Sequence, residues 1–213
     1  VPSREYHERL WEQVPEGLRP SGLDLRERFL LEHLPAPSAG GQPAVLDVGC
    51  GEGHLAAVLA RAGAAVVGID VAEEPLRRGR EHHPGLDLRI VPAEGPWPLP
   101  DSSFDVVWAG ETLEHVADTA GWLSEVRRVL RSDGRLLLTT PAHGPLAVLA
   151  LAISPRGFDA HFDPRSDHLR FYTRRSLGRL LEEFRFKDIT VRARGGVPGA
   201  RRTLFAAARR SRF

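Results

Sequence analysis

Three glycines at alternate positions, Gly49, Gly51 and Gly53, follow the apolar run Val45-Leu46-Asp47-Val48, with Asp47 and Glu52 as acidic neighbours. A chain that turns sharply from a strand into a helix, with its backbone close to a ligand, needs glycine where a Cβ would block either task. Phosphate-binding loops exploit the positive end of the following helix and avoid anionic side chains beside it. The two acids therefore argue against a pyrophosphate and for a zwitterion that carries an ammonium group. About seventeen residues after the last glycine, Val66-Val67-Gly68-Ile69-Asp70 reads as a second buried strand ending in an acid, where doubly wound folds hydrogen-bond ribose hydroxyls. Asp70 is the expected ribose ligand.

A second constellation, Trp108-Ala109-Gly110-Glu111-Thr112-Leu113-Glu114-His115-Val116, sits at the carboxyl end of another apolar run. Ligands of open α/β sheets bind at such strand ends. If the segment turns helically, Glu111 and His115 stand at i and i+4 on one face. The carboxylate then orients an imidazole suited to taking a proton near neutral pH. His115 is the candidate general base with Glu111 as its partner; the alternative is that the pair only ties down the local turn.

The elements that must hold these residues alternate. Helical patterns at about 3–14 and 22–34 precede strand 44–48, helix 53–62, strand 65–69, helix 73–82, strand 87–91, strand 104–109, helix 119–131 and strand 135–140. After an insertion at about 141–170 come helix 173–185 and strands near 187–194 and 202–209, joined by Gly195-Gly196-Val197-Pro198-Gly199 as a hairpin turn. The expected fold is α/β: a Rossmann-like, doubly wound, mostly parallel seven-stranded sheet with a C-terminal antiparallel hairpin and helices on both faces. Residues 1–40 are read as N-terminal helices capping the site, and residues 41–213 as the main domain with a lid insertion.

Composition fits one soluble domain. A chain of 213 residues, 42% hydrophobic, can build its core without disulfides or metals. The single Cys50 cannot form an internal disulfide and reads as a small side chain in the turn rather than a nucleophile. With no apolar run long enough for a membrane span and no signal-like start, the expected location is cytoplasmic. Methionine is absent, position 1 included, so the chain is expected to lack its start residue or to have been processed. The net charge is +1, yet residues 169–213 carry thirteen Arg or Lys against three acids. Such a basic segment attracts nucleic acid, anionic lipid or an anionic substrate, or forms solvated helix faces and strand edges; the second reading is preferred, because no stacking aromatics interleave the arginines at 201, 202, 209, 210 and 212.

The ordered series Leu46-Asp47-Val48-Gly49-Cys50-Gly51, Gly68-Ile69-Asp70, Ala93-Glu94, Phe104-Asp105-Val106-Val107, Leu113-Glu114-His115-Val116, Glu125-Val126-Arg127-Arg128-Val129-Leu130 and Asp133-Gly134-Arg135-Leu136-Leu137 resembles class I S-adenosylmethionine-dependent methyltransferases from about Val45 to Phe186. It is also similar to the ubiquinone-biosynthesis O-methyltransferases, whose branch takes quinones, sugars, amines and polyketides. The resemblance implies S-adenosyl-L-methionine as cofactor and S-adenosyl-L-homocysteine as product. It implies a cradle of Asp47, Gly49, Cys50, Gly51 and Gly53, with Asp70 and Val71 at the ribose and Ala109 and Gly110 at the methionine portion. Where the family often has an acid after the third strand, this chain has Pro92, so Ala93 and Glu94 are expected at the adenine. Trp97 is read either as a cover for the adenine or as a plug of the core edge.

The implied reaction moves a methyl group to an oxygen or nitrogen of a small-molecule acceptor. A sulfonium methyl is already activated, so an aligned nucleophile is the main requirement and a base is needed only for a protonated one. The lid, with the apolar run Leu146-Ala147-Val148-Leu149-Ala150-Leu151-Ala152-Ile153, is the expected determinant of acceptor choice. That run favours an apolar substrate or membrane contact, or packs on the core or a neighbouring subunit. His143 and His168 are candidate substrate contacts, with loop anchoring the alternative for His168, and Thr173 is expected to cap the next helix. Tyr6 and Trp11 are candidate covers, although Leu10, Trp11 and Val14 also have the spacing of an ordinary packing stripe. The histidines at 143, 161 and 168 fit no compact metal template, and no metal is expected. A homodimer is possible. The alternatives are a catalytically silent S-adenosylmethionine-binding protein, a nucleotide-linked oxidoreductase, or a nucleic-acid methyltransferase, for which the expected base-amine motif is missing.

Overall fold

Runs of β-branched and aliphatic residues, each ended by glycine or a polar turn, form the sheet on which the site stands. The computed structural model describes residues 4–36, 41–93, 95–163, 166–196 and 202–212. Glu94 and the turn at 197–201 lie outside the described residues. Helices α1 (Arg4–Gln13) and α2 (Leu23–His33) come first. They are followed by β1 (Ala44–Val48), α3 (His54–Arg61), β2 (Ala65–Asp70), α4 (Glu73–His82), β3 (Asp87–Ile90) and β4 (Phe104–Gly110). Then come α5 (Thr119–Val129), β5 (Leu130–Pro141), α6 (Pro145–Ala152), α7 (Pro155–His161), α8 (Arg174–Glu183), β6 (Phe186–Arg194) and β7 (Thr203–Arg210). The sheet order is β3-β2-β1-β4-β5-β7-β6. The first five strands pair in parallel and β7 runs antiparallel between β5 and β6. The expected architecture is present.

Alternation along the strands divides the interior in two. Val45, Val106, Trp108, Leu137 and Phe205 face Phe29 and Leu30 of α2 and Leu55 and Leu59 of α3. Leu46, Val48, Val107, Leu136 and Leu138 face the other way, against Trp122 and Val126 of α5 and Leu177 and Leu181 of α8. Burial of both strand faces is what parallel strands with flanking helices require. One boundary differs from expectation: α5 stops at Val129 rather than 131, because fully buried Leu130 turns extended and pairs with Phe104.

The insertion forms two short helices, α6 and α7, and leaves Leu146, Leu149 and Ile153 exposed. Thr173 caps α8 as expected, accepting from the Ser176 N–H in a capping box. Among the described residues, no helix is long and apolar enough to cross a membrane.

The register brings the carboxyl ends of three strands level, since Val48 pairs with both Ile69 and Ala109. One residue before that edge, Asp47 is buried, and its carboxyl accepts the Ala56 N–H in the first turn of α3. Burial, and then the neighbouring charge of Asp70, push the Asp47 carboxyl up to about 7. A carboxyl raised on folding contributes stability that is complete below its unfolded value and is lost as pH climbs through the folded one. The wild-type protein should therefore lose of the order of 2–4 kcal/mol between about pH 4 and pH 8 at this residue. Urea denaturation across that range checks it: Asp47→Asn should flatten the fall and be the more stable protein at pH 8, and equal slopes would remove the burden from Asp47.

Candidate functional site

Strand β1 sits where the connections diverge to either side, and the crevice outside that point is where ligands of open α/β sheets bind. A cavity of about 370 Å³ opens there. Gly49, Asp70, Val71 and Ala93 form its floor along the strand ends, with Leu10, Trp11 and Val14 of the N-terminal segment on one side. Trp97 and Trp122 line a second side, and Glu111, Thr112, His115 and Asp167 close the far end.

The glycine turn is built by conformation. Gly49, Gly51 and Gly53 have φ of 71°, 53° and 76°, in the left-handed region that side chains avoid. Space is short as well: a Cβ on Gly49 would lie 2.6 Å from the Thr112 hydroxyl, which donates to the Val48 carbonyl at 3.0 Å. Asp70 holds the turn in place. Its Oδ2 accepts the Gly51 N–H at 2.9 Å, and its Oδ1 accepts those of Val71 and Ala72 at 2.7 and 3.1 Å. Burial raises this carboxyl above its ordinary value, against the pull of those three N–H groups. Three contacts leave room for a further donor such as a hydroxyl, since a carboxylate offers roughly four lone-pair sites.

The acidic character of the cradle resides in Asp47 and Asp70 rather than in Glu52. Glu52 is buried but faces away, accepting the Gly17 N–H at 3.2 Å and pairing with Arg78 at 3.4 Å. Asp47 occupies the first turn of α3, the place a phosphate would take. Cys50 is no nucleophile: burial, Asp47 and Asp70 all hold its thiol well above the ordinary range. Gly110 is a glycine for packing, because a Cβ there would meet the Trp108 ring at 2.6 Å. Asp47, Cys50, Gly51, Gly53, Ala109 and Gly110 are not among the residues that line the cavity.

At the acid–histidine turn, the expected helical face does not form. Glu111 has φ of 53°, and only Leu113–His115 make a 3-10 turn, so Glu111 and His115 do not share an i, i+4 face. Glu111 lines the cavity with its Oε1 unpaired. The partner of His115 is Asp167: Nδ1 lies 3.1 Å from the Asp167 carbonyl oxygen and 3.3 Å from its carboxylate. With Nδ1–H donating there, Nε2 keeps its lone pair. Burial holds the imidazole below its ordinary value, against the opposing charge of Asp167, so it is neutral and able to accept a proton at pH 7.

The neighbouring Glu114 is fully buried, with Oε2 accepting the Thr140 hydroxyl at 2.9 Å and Oε1 unpaired. Its backbone carbonyl accepts the N–H groups of Leu169 and Arg170, which fastens the end of the lid to this turn. Burial, then the charge of Glu111, raises its carboxyl to about 8. Glu114, His115 and His168 bring possible ligand atoms within 4.8 Å of one another, a carboxylate-and-imidazole set that divalent cations accept. Sequence spacing concealed this cluster, because His168 reaches it only through the folded lid.

Trp97 plugs the core edge and also reaches the cavity. It is buried, donates to the Pro92 carbonyl at 3.1 Å, meets Trp122 edge-on and lines the cavity. Trp11 lines the cavity too, whereas Tyr6 packs against His7 outside it. His143 packs against the rings of His161 and Phe171 within and beside the lid, and His168 packs on the His115 ring at 4.9 Å; neither is part of the wall. Sequence reasoning missed His7 of α1, Trp122 of α5 and Asp167 of the lid in the lining, because the fold brings them from distant elements, and it did not single out Thr112 and Val116 within the acid–histidine segment.

Residues 46–138 match the family described as methyltransferase domain. The ubiquinone biosynthesis O-methyltransferase of Aeromonas salmonicida is 36% identical over 145 residues, covering 65% of this chain and 60% of that protein. The chain thus spans a little over half the length of the curated relatives it matches. Among solved structures, a SAM-dependent methyltransferase from Methanosarcina mazei is 26% identical, with a TM-score of 0.61 over 80% of this chain and 93% of that one. The geranyl diphosphate C-methyltransferase of Streptomyces coelicolor A3(2), solved with Mg2+, geranyl diphosphate and S-adenosyl-L-homocysteine, shares the fold at a TM-score of 0.71 and 19% identity, covering 99% of this chain and 98% of that one. Family match, relatives and fold agree: the chain has the Rossmann-like methyltransferase fold, and residues 46–138 within it match a methyltransferase domain.

Proposed function

We propose that this protein transfers the methyl group of S-adenosyl-L-methionine to an oxygen or nitrogen of a small-molecule acceptor. The observation that carries the reading is the acidic cradle at the ends of β1 and β2. Asp47 already occupies the first turn of α3 and Asp70 rims the cavity, so the site disfavours a pyrophosphate and favours a cationic ligand. In this reading Asp70 takes the ribose hydroxyls, the backbone of Gly49 to Gly53 passes beside the amino-acid portion, and Ala93 meets the adenine. Glu94 remains assigned to the adenine on the family resemblance alone.

The methyl group leaves a sulfonium, so the residues of the far end need only align the acceptor and remove its proton. His115 is the base, and Asp167, rather than Glu111, orients it; Asp167 also stabilises the imidazolium once the proton has moved. The acceptor enters between this pair and the lid. Leu10, Val14, Val116 and the two tryptophans make the cavity largely apolar, which suits an organic acceptor with few charges.

Two experiments test the assignments. Asp70→Ala should weaken S-adenosylhomocysteine binding by about tenfold or more, since it removes a buried, hydrogen-bonding carboxylate, with the fold unchanged by circular dichroism. Equal affinity would remove the ribose assignment. With an accepted substrate in hand, His115→Ala should lower turnover by about 100-fold or more at near-constant cofactor affinity. The wild-type rate should fall on acidification through a midpoint below the ordinary imidazole value. Full activity of the variant would exclude His115 as base. A wild-type rate abolished by chelator and restored by Mg2+ or Mn2+ would move its role to a cation held with Glu114 and His168.

A further inference from the structure

The N-terminal helix forms a wall of the cavity without belonging to the core. Helix α1 buries no residue fully, whereas α2, ten residues later, buries Leu23, Phe29 and Leu30. Leu10 and Trp11 of α1 nevertheless line the cavity, with Val14 just beyond its end. The Trp11 ring lies against the glycine turn, 3.0 Å from where a Cβ on Gly51 would stand. A wall with so little buried apolar surface must be held by polar contacts.

Those contacts converge on α4. The carboxylate of Glu8 accepts the N–H groups of Glu73 and Glu74, at 2.7 and 3.1 Å, and so closes the first turn of α4 with a side chain from α1. Further along the same helix, Arg78 reaches back. Its guanidinium donates to the carbonyls of Trp11 at 3.1 Å and Val14 at 2.8 Å, and thereby caps the open end of α1. Glu74 and Glu52 fix the guanidinium, and Glu52 also accepts the Gly17 N–H beyond α1. Arg78 is 6% exposed and Glu52 3%. The cluster thus ties α1, α4 and the glycine turn together through charge-assisted bonds. Between α1 and the anchored α2 lie Gly17 and Gly22, with φ of 69° and 73° and nothing within 4 Å of a Cβ at either.

We propose that Arg78 is a positioning residue for the cofactor, clasping α1 over the glycine turn, and that release of α1 about the Gly17–Gly22 segment admits and discharges the ligand. The clasp rests on the cofactor reading above. Glu52 serves here as the strut between turn and clasp, which accounts for an acid in the glycine turn that does not face the ligand. A bound cofactor that touches Trp11, Leu10 and Val14 stabilises the closed form, and closing excludes water from the sulfonium. Neither Arg78 nor Glu8 has to touch the cofactor to govern how long it stays.

Stopped-flow dissociation of S-adenosylhomocysteine from the full chain tests this, read beside acrylamide quenching of tryptophan emission. Of the four tryptophans, Trp97, Trp108 and Trp122 are 3%, 1% and 0% exposed, so Trp11 reports the docking of α1. Arg78→Ala should speed dissociation by about tenfold or more, as expected from losing one or two charge-assisted hydrogen bonds, and make Trp11 more quenchable. Glu8→Gln removes only a carboxylate charge at the surface, keeps the fold, and should shift both readouts in the same direction by a smaller factor. Bound S-adenosylhomocysteine should slow cleavage by a glutamyl endopeptidase after Glu16, within the linker, in the wild-type protein. A freed Trp11 with an unchanged dissociation rate, or an undisturbed Trp11 in both variants, would overturn the clasp. Wild-type protein that binds no S-adenosylhomocysteine would instead refute the cofactor reading, and quenching of the ligand-free variants would still decide whether Arg78 holds α1.

Discussion

The site depends on two carboxyl groups buried at the ends of adjacent parallel strands. Burial raises the carboxyls of Asp47 on β1 and Asp70 on β2, the charge of Asp70 raises that of Asp47 further, and the chain tolerates them because backbone N–H groups bond to both. Gly51, Val71 and Ala72 donate to Asp70, and Ala56 donates to Asp47. These bonds fix the glycine turn, set the start of α3, and fill with protein oxygen the place where another α/β fold would take a phosphate. A cationic ligand would offset the burial of the pair, and on the function proposed above the feature that burdens the fold is the one that selects the ligand.

Around this fixed centre the walls differ in how they are held. Trp97 and Trp122 belong to the hydrophobic interior and are rigid for that reason. The acid–histidine turn is held by backbone bonds from Leu169 and Arg170 to Glu114, so the returning end of the lid and the candidate base are one unit. Helix α1 is held by charge, through Glu8 and Arg78. A pocket with two firm walls and one clasped wall can keep its geometry while exchanging its ligand.

The sequence disclosed what local chemistry decides. Strand β1, the glycine turn, Asp70, and the cap at Thr173 follow from periodicity, backbone freedom and hydrogen-bonding capacity within a few residues, and they stand where expected. Legibility failed where the partner came from afar. Glu111 had the right spacing for His115 on a helix, but its positive φ breaks that face, and Asp167 arrives from 52 residues away. Glu52 looked like part of the acidic cradle until Arg78 and Gly17 claimed it. The glycine at 110 has a packing reason that the local sequence did not disclose, because a Cβ there would meet the ring of Trp108.

The most direct test of the acidic cradle is calorimetric titration of the purified protein with S-adenosylhomocysteine at pH 6, in buffers of different ionisation enthalpy, with NAD titrated in parallel. The account predicts binding on the order of micromolar for the first ligand alone, with release of up to about one proton as the ammonium group draws Asp47 toward ionisation. Binding of NAD in preference, or S-adenosylhomocysteine bound with no proton released, would contradict it.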